Sequence, residues 1–172
     1  ETPRHGGTLR VEHRDNPPSA SLLEEATIST VMPFASVFNN LVTFGTRTDQ
    51  DRADDIVPDL AESWAWNPEG TALTFRLRHG VRFHNGRPFT AADVKCTWDL
   101  LAGRAPDNFK VNFRKGLYAN VESVTANGDR AAVFNPRTRP PAPLASPPSG
   151  VPPVSPTQSP PHKPPPPPTA PR

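Results

Sequence analysis

The 172-residue sequence holds one cysteine, one methionine and one tyrosine, and residues 136–172 contain no acidic side chain. A single cysteine, Cys96, excludes an internal disulfide, and no CxxC pair or paired histidine spacing indicates a metal or redox site. No run approaches the roughly 20 consecutive apolar residues that a membrane-spanning helix needs. Composition therefore gives no support to a cofactor, a metal centre or a membrane-spanning helix.

Proline is unevenly distributed along the chain. Of the 25 prolines, 17 lie in residues 136–172, which carry four basic residues, whereas residues 1–135 carry 15 basic and 17 acidic residues. A tract of this kind cannot donate ladder hydrogen bonds or bury a core, which predicts a disordered, polyproline-like tail over residues 136–172. The pI near 9.0 comes from this tail. Because no basic helix accompanies it, we expect no nucleic-acid partner.

The middle of the chain carries the pattern of an antiparallel hairpin. Residues 73–77 alternate apolar and polar side chains, which predicts a strand with one buried face. Its predicted partner is residues 62–66, joined to it by the Asn-Pro-Glu-Gly turn at 67–70. Asn85 and Gly86 then predict a second reversal of the chain.

A capped helix is predicted after this reversal. Thr90 is the expected N-cap, and Asp93 lies three residues on, where a carboxylate favours the positive first turn of a helix. Val94, Trp98 and Leu101 fall on one helical face. Gly103 is expected to end the helix.

The remaining elements follow from shorter patterns. Thr8 to Glu12 predicts a first strand, and Asp15 to Ser21 predicts a loop. A helix is expected to begin at Thr27 or Thr30 with Pro33 in its first turn, and its apolar face is expected to reach Leu41. Residues 46–55 predict a polar loop. The sequence around Asn127 and Gly128 predicts a hairpin over residues 121–134.

The central motif resembles the peptide- and nickel-type extracellular solute-binding proteins of ABC importers, known as solute-binding family 5. The family pattern is LAESW, a turn, TFxLRxGVxFHxG and then PFTAxDV. It is matched here at residues 60–64, 74–86 and 88–94, with Asn85 where the family more often has Asp. The resemblance covers residues 6–135.

The resemblance implies an α/β fold, namely the N-terminal part of the first lobe of a bilobal, periplasmic-binding-protein-like (class II) fold over residues 1–135. An intact relative would capture a peptide or similar small solute between two lobes and pass it, chemically unchanged, to a membrane permease. We expect such a protein to be monomeric and periplasmic or otherwise extracytoplasmic. The chain begins at Glu1, as expected of an exported protein whose signal peptide has been removed.

Five residues are ligand-contact candidates by the same resemblance. The family builds one wall of its cleft from the loop after the first strand and the start of the next helix, which corresponds here to Asn16, Pro17, Ser19, Ser21 and Met32. Each also has a structural interpretation. The prolines can simply shape the loop, and Met32 has the helical spacing of a core side chain.

Catalysis receives little support from the sequence. His79, His84, Asp93 and Cys96 are close along the chain, but no nucleophile elbow or phosphate-binding loop accompanies them. A structural role explains each one: Asp93 as a helix cap, Cys96 as a buried thiol, and His84 as a brace for the turn at 85–86. We therefore expect that this protein is not an enzyme. The tryptophans, Trp64, Trp66 and Trp98, are expected in the core.

The family continues into a second lobe after residue 135, whereas this sequence enters the Pro-rich tail. We therefore expect a truncated fragment that binds solute poorly and is marginally stable, because Val121, Val124 and Phe134 would lose covering partners. An abrupt change of composition also suggests that the coding sequence leaves the family's reading frame near codon 135. The alternative is an interaction or spacer protein acting through its tail, where Arg137, Pro140 and Pro143 fit an RxxPxxP spacing.

Overall fold

The computed structural model describes residues 6–8, 10–13, 15–35, 37–45, 55–105, 112 and 115–138. Of the tail predicted over residues 136–172, only residues 136–138 are described. Residues 46–54 of the predicted polar loop also lie outside the described residues. The described residues form two helices and six strands: α1 Ile28–Phe34, β1 Val42–Phe44, β2 Ile56–Pro58, β3 Ala61–Trp66, β4 Leu73–Leu77, α2 Ala91–Leu101, β5 Val121–Asn127 and β6 Ala131–Pro136.

The main sheet is antiparallel and has four strands in the order β3-β4-β6-β5. β4 pairs with β3, where Trp64 lies opposite Phe75, and with β6, where Phe75 lies opposite Ala132. β6 pairs in turn with β5, where Val124 lies opposite Phe134. A separate two-stranded sheet joins β1 to β2. The last of the described strands, β6, therefore lies in the interior of the main sheet.

α2 packs against β5 and β6 and helps to close the hydrophobic core. Alternation along β4 turns Leu73, Phe75 and Leu77 toward the same face, and all three are buried. Trp98 of α2 packs edge-on against Phe134, with ring centroids 4.8 Å apart. The expectation that Val124 and Phe134 lack covering partners is wrong, because both are buried in this core.

The turn between β5 and β6 fixes the start of α2. The Ala91 N–H, which begins the helix and has no partner within it, donates to the Asp129 carbonyl oxygen at 2.8 Å. Next to it, the Arg130 guanidinium donates to the Leu77 carbonyl oxygen at 3.0 and 3.2 Å and to a Glu62 carboxylate oxygen at 3.1 Å. Arg130 thereby ties β3, β4 and the hairpin turn together.

Asp93 is the buried anchor of the central motif. Its side chain is fully buried, and its Oδ2 accepts hydrogen bonds from the Thr90 N–H at 2.9 Å and the Thr90 hydroxyl at 3.1 Å. Its Oδ1 lies 2.5 Å from Nη2 of Arg87, whose guanidinium stacks 4.9 Å from the centroid of Phe83. The capping box predicted for Thr90 and Asp93 is confirmed.

The turns predicted at residues 67–70 and 85–86 are also confirmed. Gly70 and Gly86 adopt φ values of +67° and +82°, which favour glycine over any residue with a Cβ. Asn67 closes the first turn, since its Oδ1 accepts from the N–H groups of Thr71 at 2.8 Å and Ala72 at 2.9 Å. Side-chain acceptors of this kind explain why Asn is common where a hairpin reverses.

Three predictions near the N-terminus are wrong. Thr8 and residues 10–12 do not form a strand, because no described strand offers them a backbone ladder. The first helix ends at Phe34, short of Leu41, and Pro33 lies at its sixth residue rather than in its first turn. The short strands β1 and β2 were not predicted. They pair with each other across a long connection, and local periodicity does not report such pairing.

Candidate ligand-binding surface

The side chains considered for catalysis do not form a common site. Both carboxylate oxygens of Asp93 are engaged by Arg87 and Thr90, while His79 is exposed and Cys96 is half-buried. Across the described parts of the chain, no cluster of three or more His, Cys, Asp or Glu side chains is placed to hold a metal ion. In the same residues, no helix has the length and apolar character to span a bilayer.

The prediction that His84 braces the turn at residues 85–86 is wrong. The bonds that hold this turn come from its neighbours: the Arg87 N–H donates to Asn85 Oδ1 at 3.0 Å, and Arg82 Nη1 donates to the Gly86 carbonyl oxygen at 2.8 Å. His84 is exposed and makes no hydrogen bond to another described residue. The short side chain of Asn85, within the turn, is well placed to accept from a nearby backbone N–H.

The loop that carries most of the ligand-contact candidates is bonded directly to α1. The Thr30 hydroxyl, fully buried, donates to the Ser19 carbonyl oxygen at 3.1 Å. The Ser21 N–H donates to Ser19 Oγ at 3.0 Å, which folds the loop on itself. Leu23 then packs with Leu101 at the end of α2 and with Tyr118. Loop and helix therefore form one unit that is anchored to the core.

Pro33 leaves one backbone carbonyl oxygen of α1 without a helical donor, and His13 supplies that donor. Because proline has no N–H, the carbonyl oxygen of Ser29, four residues earlier, loses its helical partner. Nε2 of His13 lies 3.0 Å from that oxygen. A carbonyl oxygen only accepts, so the His13 ring donates this bond through Nε2–H. The segment before the loop is thereby joined to α1 at the point where the helix cannot satisfy itself.

This pairing predicts a measurable coupling between the two residues. His13→Ala should increase the hydrogen-exchange opening of α1 amides about threefold to fivefold, because the Ser29 carbonyl oxygen loses its donor. In a Pro33→Ala background the same substitution should change exchange little, since the introduced alanine supplies the missing N–H. The measurement is a double-mutant cycle by amide exchange. An equal effect of His13→Ala in both backgrounds would show that the bond to Ser29 does not stabilise α1.

The five ligand-contact candidates differ in what their side chains already do. Asn16 and Pro17 are exposed, and no described contact engages their side chains. Ser19 and Ser21 are half-buried, and Ser19 uses its hydroxyl within the loop. The core role considered for Met32 is wrong, since its side chain is 67% exposed. Asn16, Pro17 and Met32 are therefore the candidates that are free to meet a ligand.

Sequence reasoning missed one apolar member of this surface. Ile28 is 76% exposed and lies one helical turn before Met32, so both occupy the same side of α1. The spacing of four residues was visible in the sequence, but it also fits a helix that buries this side. Large apolar side chains that are exposed together often mark a surface that meets a partner or ligand. Ile28 and Met32, with the adjacent loop, form the candidate ligand-binding surface.

A cavity of about 360 Å³ lies elsewhere, beneath the reversal at residues 81–89. Its walls are mainly apolar and come from the segment after α1, from Leu60, and from Val81, Phe83 and Phe89. Phe83 and Phe89 meet edge-on with centroids 5.8 Å apart. Apart from Arg82, which is tied to Gly86, it presents no charged side chain that would orient a polar ligand.

Comparison with a solved structure defines the class of protein. The periplasmic binding protein MoaA from A. tumefaciens R10, solved in complex with mannopinic acid, is 30% identical and superposes with a TM-score of 0.57. The match covers 70% of this chain and 23% of that protein. The prediction of an α/β chain that forms part of a bilobal periplasmic-binding-protein-like fold is confirmed.

Sequence comparison identifies the family. Residues 55–170 match the profile described as bacterial extracellular solute-binding proteins, family 5 Middle, and the chain belongs to this family. The matched region extends beyond residue 135 into the Pro-rich segment.

Two curated relatives give the same result. An ABC transporter peptide-binding protein of Brucella ovis is 44% identical over 50 residues, which are 29% of this chain and 9% of the relative. Di/tripeptide-binding protein 3 of Pseudomonas aeruginosa is 40% identical over 105 residues, which are 52% of this chain and 18% of the relative. The chain therefore spans less than a fifth of the length of these two relatives.

Proposed function

We propose that this chain is part of the substrate-binding component of an ABC importer for peptides or a similar solute. The observation that carries the proposal is the 40% identity over 105 residues to a di/tripeptide-binding protein. In this role the protein works outside the cytoplasm as a monomer. It delivers its solute, chemically unchanged, to a membrane permease. Nucleic acid is not a partner, because the basic excess belongs to residues 136–172.

Within this function, the candidate ligand-binding surface is one wall of the solute cleft. Asn16 and Pro17 would contact the solute backbone and Met32 its apolar part, while Ser19 and Ser21 hold the loop in shape. Two features support this assignment. The exposed apolar side chains of Ile28 and Met32 have no role in the described core, and the bonds from Thr30 and His13 fix the wall before any ligand arrives.

A single wall should bind weakly. A two-lobed receptor desolvates its ligand by closing both lobes over it, and most of the affinity comes from that enclosure. We expect the 172-residue chain to bind di- and tripeptides no more tightly than about millimolar, which corresponds to about 4 kcal/mol. Isothermal titration calorimetry checks this. Micromolar, sequence-tolerant binding would contradict the fragment assignment and restore a complete receptor function to this chain.

The wall can be tested in the context of a complete cleft. In a chimera, residues 6–135 of this chain replace the segment of the Pseudomonas di/tripeptide-binding protein that contains the aligned region of 105 residues. The chimera should bind dipeptides, and Met32→Asp should weaken that binding at least tenfold because it places a charge in an apolar contact. Leu117→Asp is the matched control, since Leu117 is 73% exposed but lies outside α1 and the loop. Equal effects of the two substitutions, in chimeras that unfold cooperatively, would contradict the assignment of the wall.

A further inference from the structure

A second pocket, of about 320 Å³, lies at the far end of α2 and is lined by cationic side chains. Arg104 comes from the segment after α2, Lys115 from the turns before β5, and Arg137 from the residue that follows β6. Tyr118 and small apolar residues complete its walls, and none of the lining residues is acidic. Three segments that are distant in sequence therefore bring three positive charges to one concave surface.

Two of these cations are held in place by backbone carbonyl groups. The Arg137 Nε–H donates to the Ala119 carbonyl oxygen at 3.1 Å, and the Arg137 N–H donates to that of Asn120 at 2.8 Å. Arg104 donates from Nη1 to the Glu122 carbonyl oxygen. Arginine has five N–H donors in a planar fork, so one such bond leaves most of them available. A guanidinium held in this way loses less side-chain freedom when it binds an anion.

The acidic side chains nearby do not neutralise the pocket. Asp99 forms an ion pair with Lys95, and its Oδ1 lies 3.6 Å from Nε of Arg104. The negative charge of Asp99 is therefore shared between two cations. Glu122 meets Arg104 through its backbone oxygen rather than its carboxylate. Among the described residues, no carboxylate is within ion-pair distance of Lys115 or Arg137. Counted over the described residues that line it, the pocket therefore carries a net positive charge.

We propose that this basic pocket binds a small anion carrying a carboxylate or phosphate group. Charge-assisted bonds from Arg104, Lys115 and Arg137 would hold the anionic group, because guanidinium groups match carboxylate and phosphate geometry. The ring of Tyr118 and the side chain of Val121 offer apolar contact to the rest of the molecule. This site is separate from the solute wall and does not require the proposed function to be correct.

The test is a titration of the isotope-labelled 172-residue chain with inorganic phosphate and with succinate at low ionic strength, followed by amide chemical shifts. Saturable shifts should centre on residues 115–121, with a dissociation constant of millimolar order or tighter. The Lys115→Gln, Arg137→Gln double variant should bind at least tenfold more weakly. Arg76→Gln is the control for the single variant Lys115→Gln, since each removes one exposed positive charge and Arg76 lies on β4 outside the pocket.

The outcomes separate a built site from a general electrostatic effect. Shifts that do not saturate, or an equal loss of affinity in Arg76→Gln, would overturn the proposal. Lys115→Gln alone supplies a second variant, because the ammonium group makes no bond to another described residue and its loss should leave the fold intact. It should weaken binding at least threefold, and unchanged affinity in this variant would also count against the pocket.

A parallel experiment distinguishes the two sources of such an anion. The chain is mixed with vesicles of phosphatidylglycerol or of phosphatidylcholine, and binding is followed by flotation. Flotation with phosphatidylglycerol that phosphate competes away and the double variant lacks would assign the pocket to lipid headgroups. Binding of phosphate or succinate without flotation would assign it to a soluble anion.

Discussion

Replacing Asp93 with alanine should lower the free energy of unfolding by about 3 kcal/mol. The substitution removes a helix cap, which is worth about 1 kcal/mol, and a charge-assisted bond to Arg87, which is worth about 1.5 to 3 kcal/mol. The expected value lies in the lower half of that sum, which runs from about 2.5 to 4 kcal/mol, because the Arg87 side chain is 37% exposed and can return to water. Urea denaturation followed by circular dichroism measures the change.

Asp99 provides the matched control for this prediction. It lies on the same helix and forms ion pairs with Lys95 and Arg104, but its side chain is 22% exposed and caps nothing. Asp99→Asn should therefore change the free energy of unfolding by no more than about 0.5 kcal/mol. Similar losses in the two variants would mean that the charge of α2 matters generally, and that the burial of Asp93 at the start of the helix does not.

Trp98→Ala should be at least as damaging, with a loss of about 3 to 5 kcal/mol. Trp98 is 3% exposed and lies between two rings, with centroids 4.8 Å from Phe134 and 6.2 Å from Tyr118. Truncation would open a cavity between α2 and the sheet that these neighbours cannot fill. The measurement is the midpoint of denaturant unfolding, together with amide-exchange protection in β6.

The Trp98→Phe variant separates the contribution of ring packing to stability from the contribution of the polar indole N–H. The indole Nε1–H of Trp98 is buried with no hydrogen-bond partner among the described residues, which is an unfavourable arrangement. Phenylalanine keeps a ring at this position and removes the unsatisfied donor, so the loss should be below about 1.5 kcal/mol. A phenylalanine variant as unstable as the alanine variant would show that the indole makes a polar contact that holds the fold together.

Sequence reasoning succeeded where neighbouring residues determine the structure. The turn at Asn67 and the capping box of Thr90 and Asp93 depend on residues no more than five positions apart. Alternation in β4 and helical spacing in α2 are equally local signals. Family membership, which the comparisons show, was recognisable because this locally determined motif contains most of the family's pattern.

Sequence reasoning failed where the structure depends on distant partners. The pairing of β1 with β2 and the bond from His13 to Ser29 join residues 12 to 16 positions apart, and no periodicity reports them. The basic pocket is less predictable still, since it gathers Arg104, Lys115 and Arg137 from three segments. The exposure of Met32 depends on what covers α1, which a helical repeat does not specify.

The position of β6 inside the sheet has a consequence for synthesis of the chain. Among the described elements, β3, β4, α2 and β5 leave the ribosome before β6, the strand that lies between β4 and β5. Until residues 131–136 emerge, β4 keeps one open edge and Trp98 has no Phe134 to pack against. The nascent chain therefore passes through a stage with an unpaired strand and exposed aromatic rings, which is the kind of intermediate that chaperones recognise.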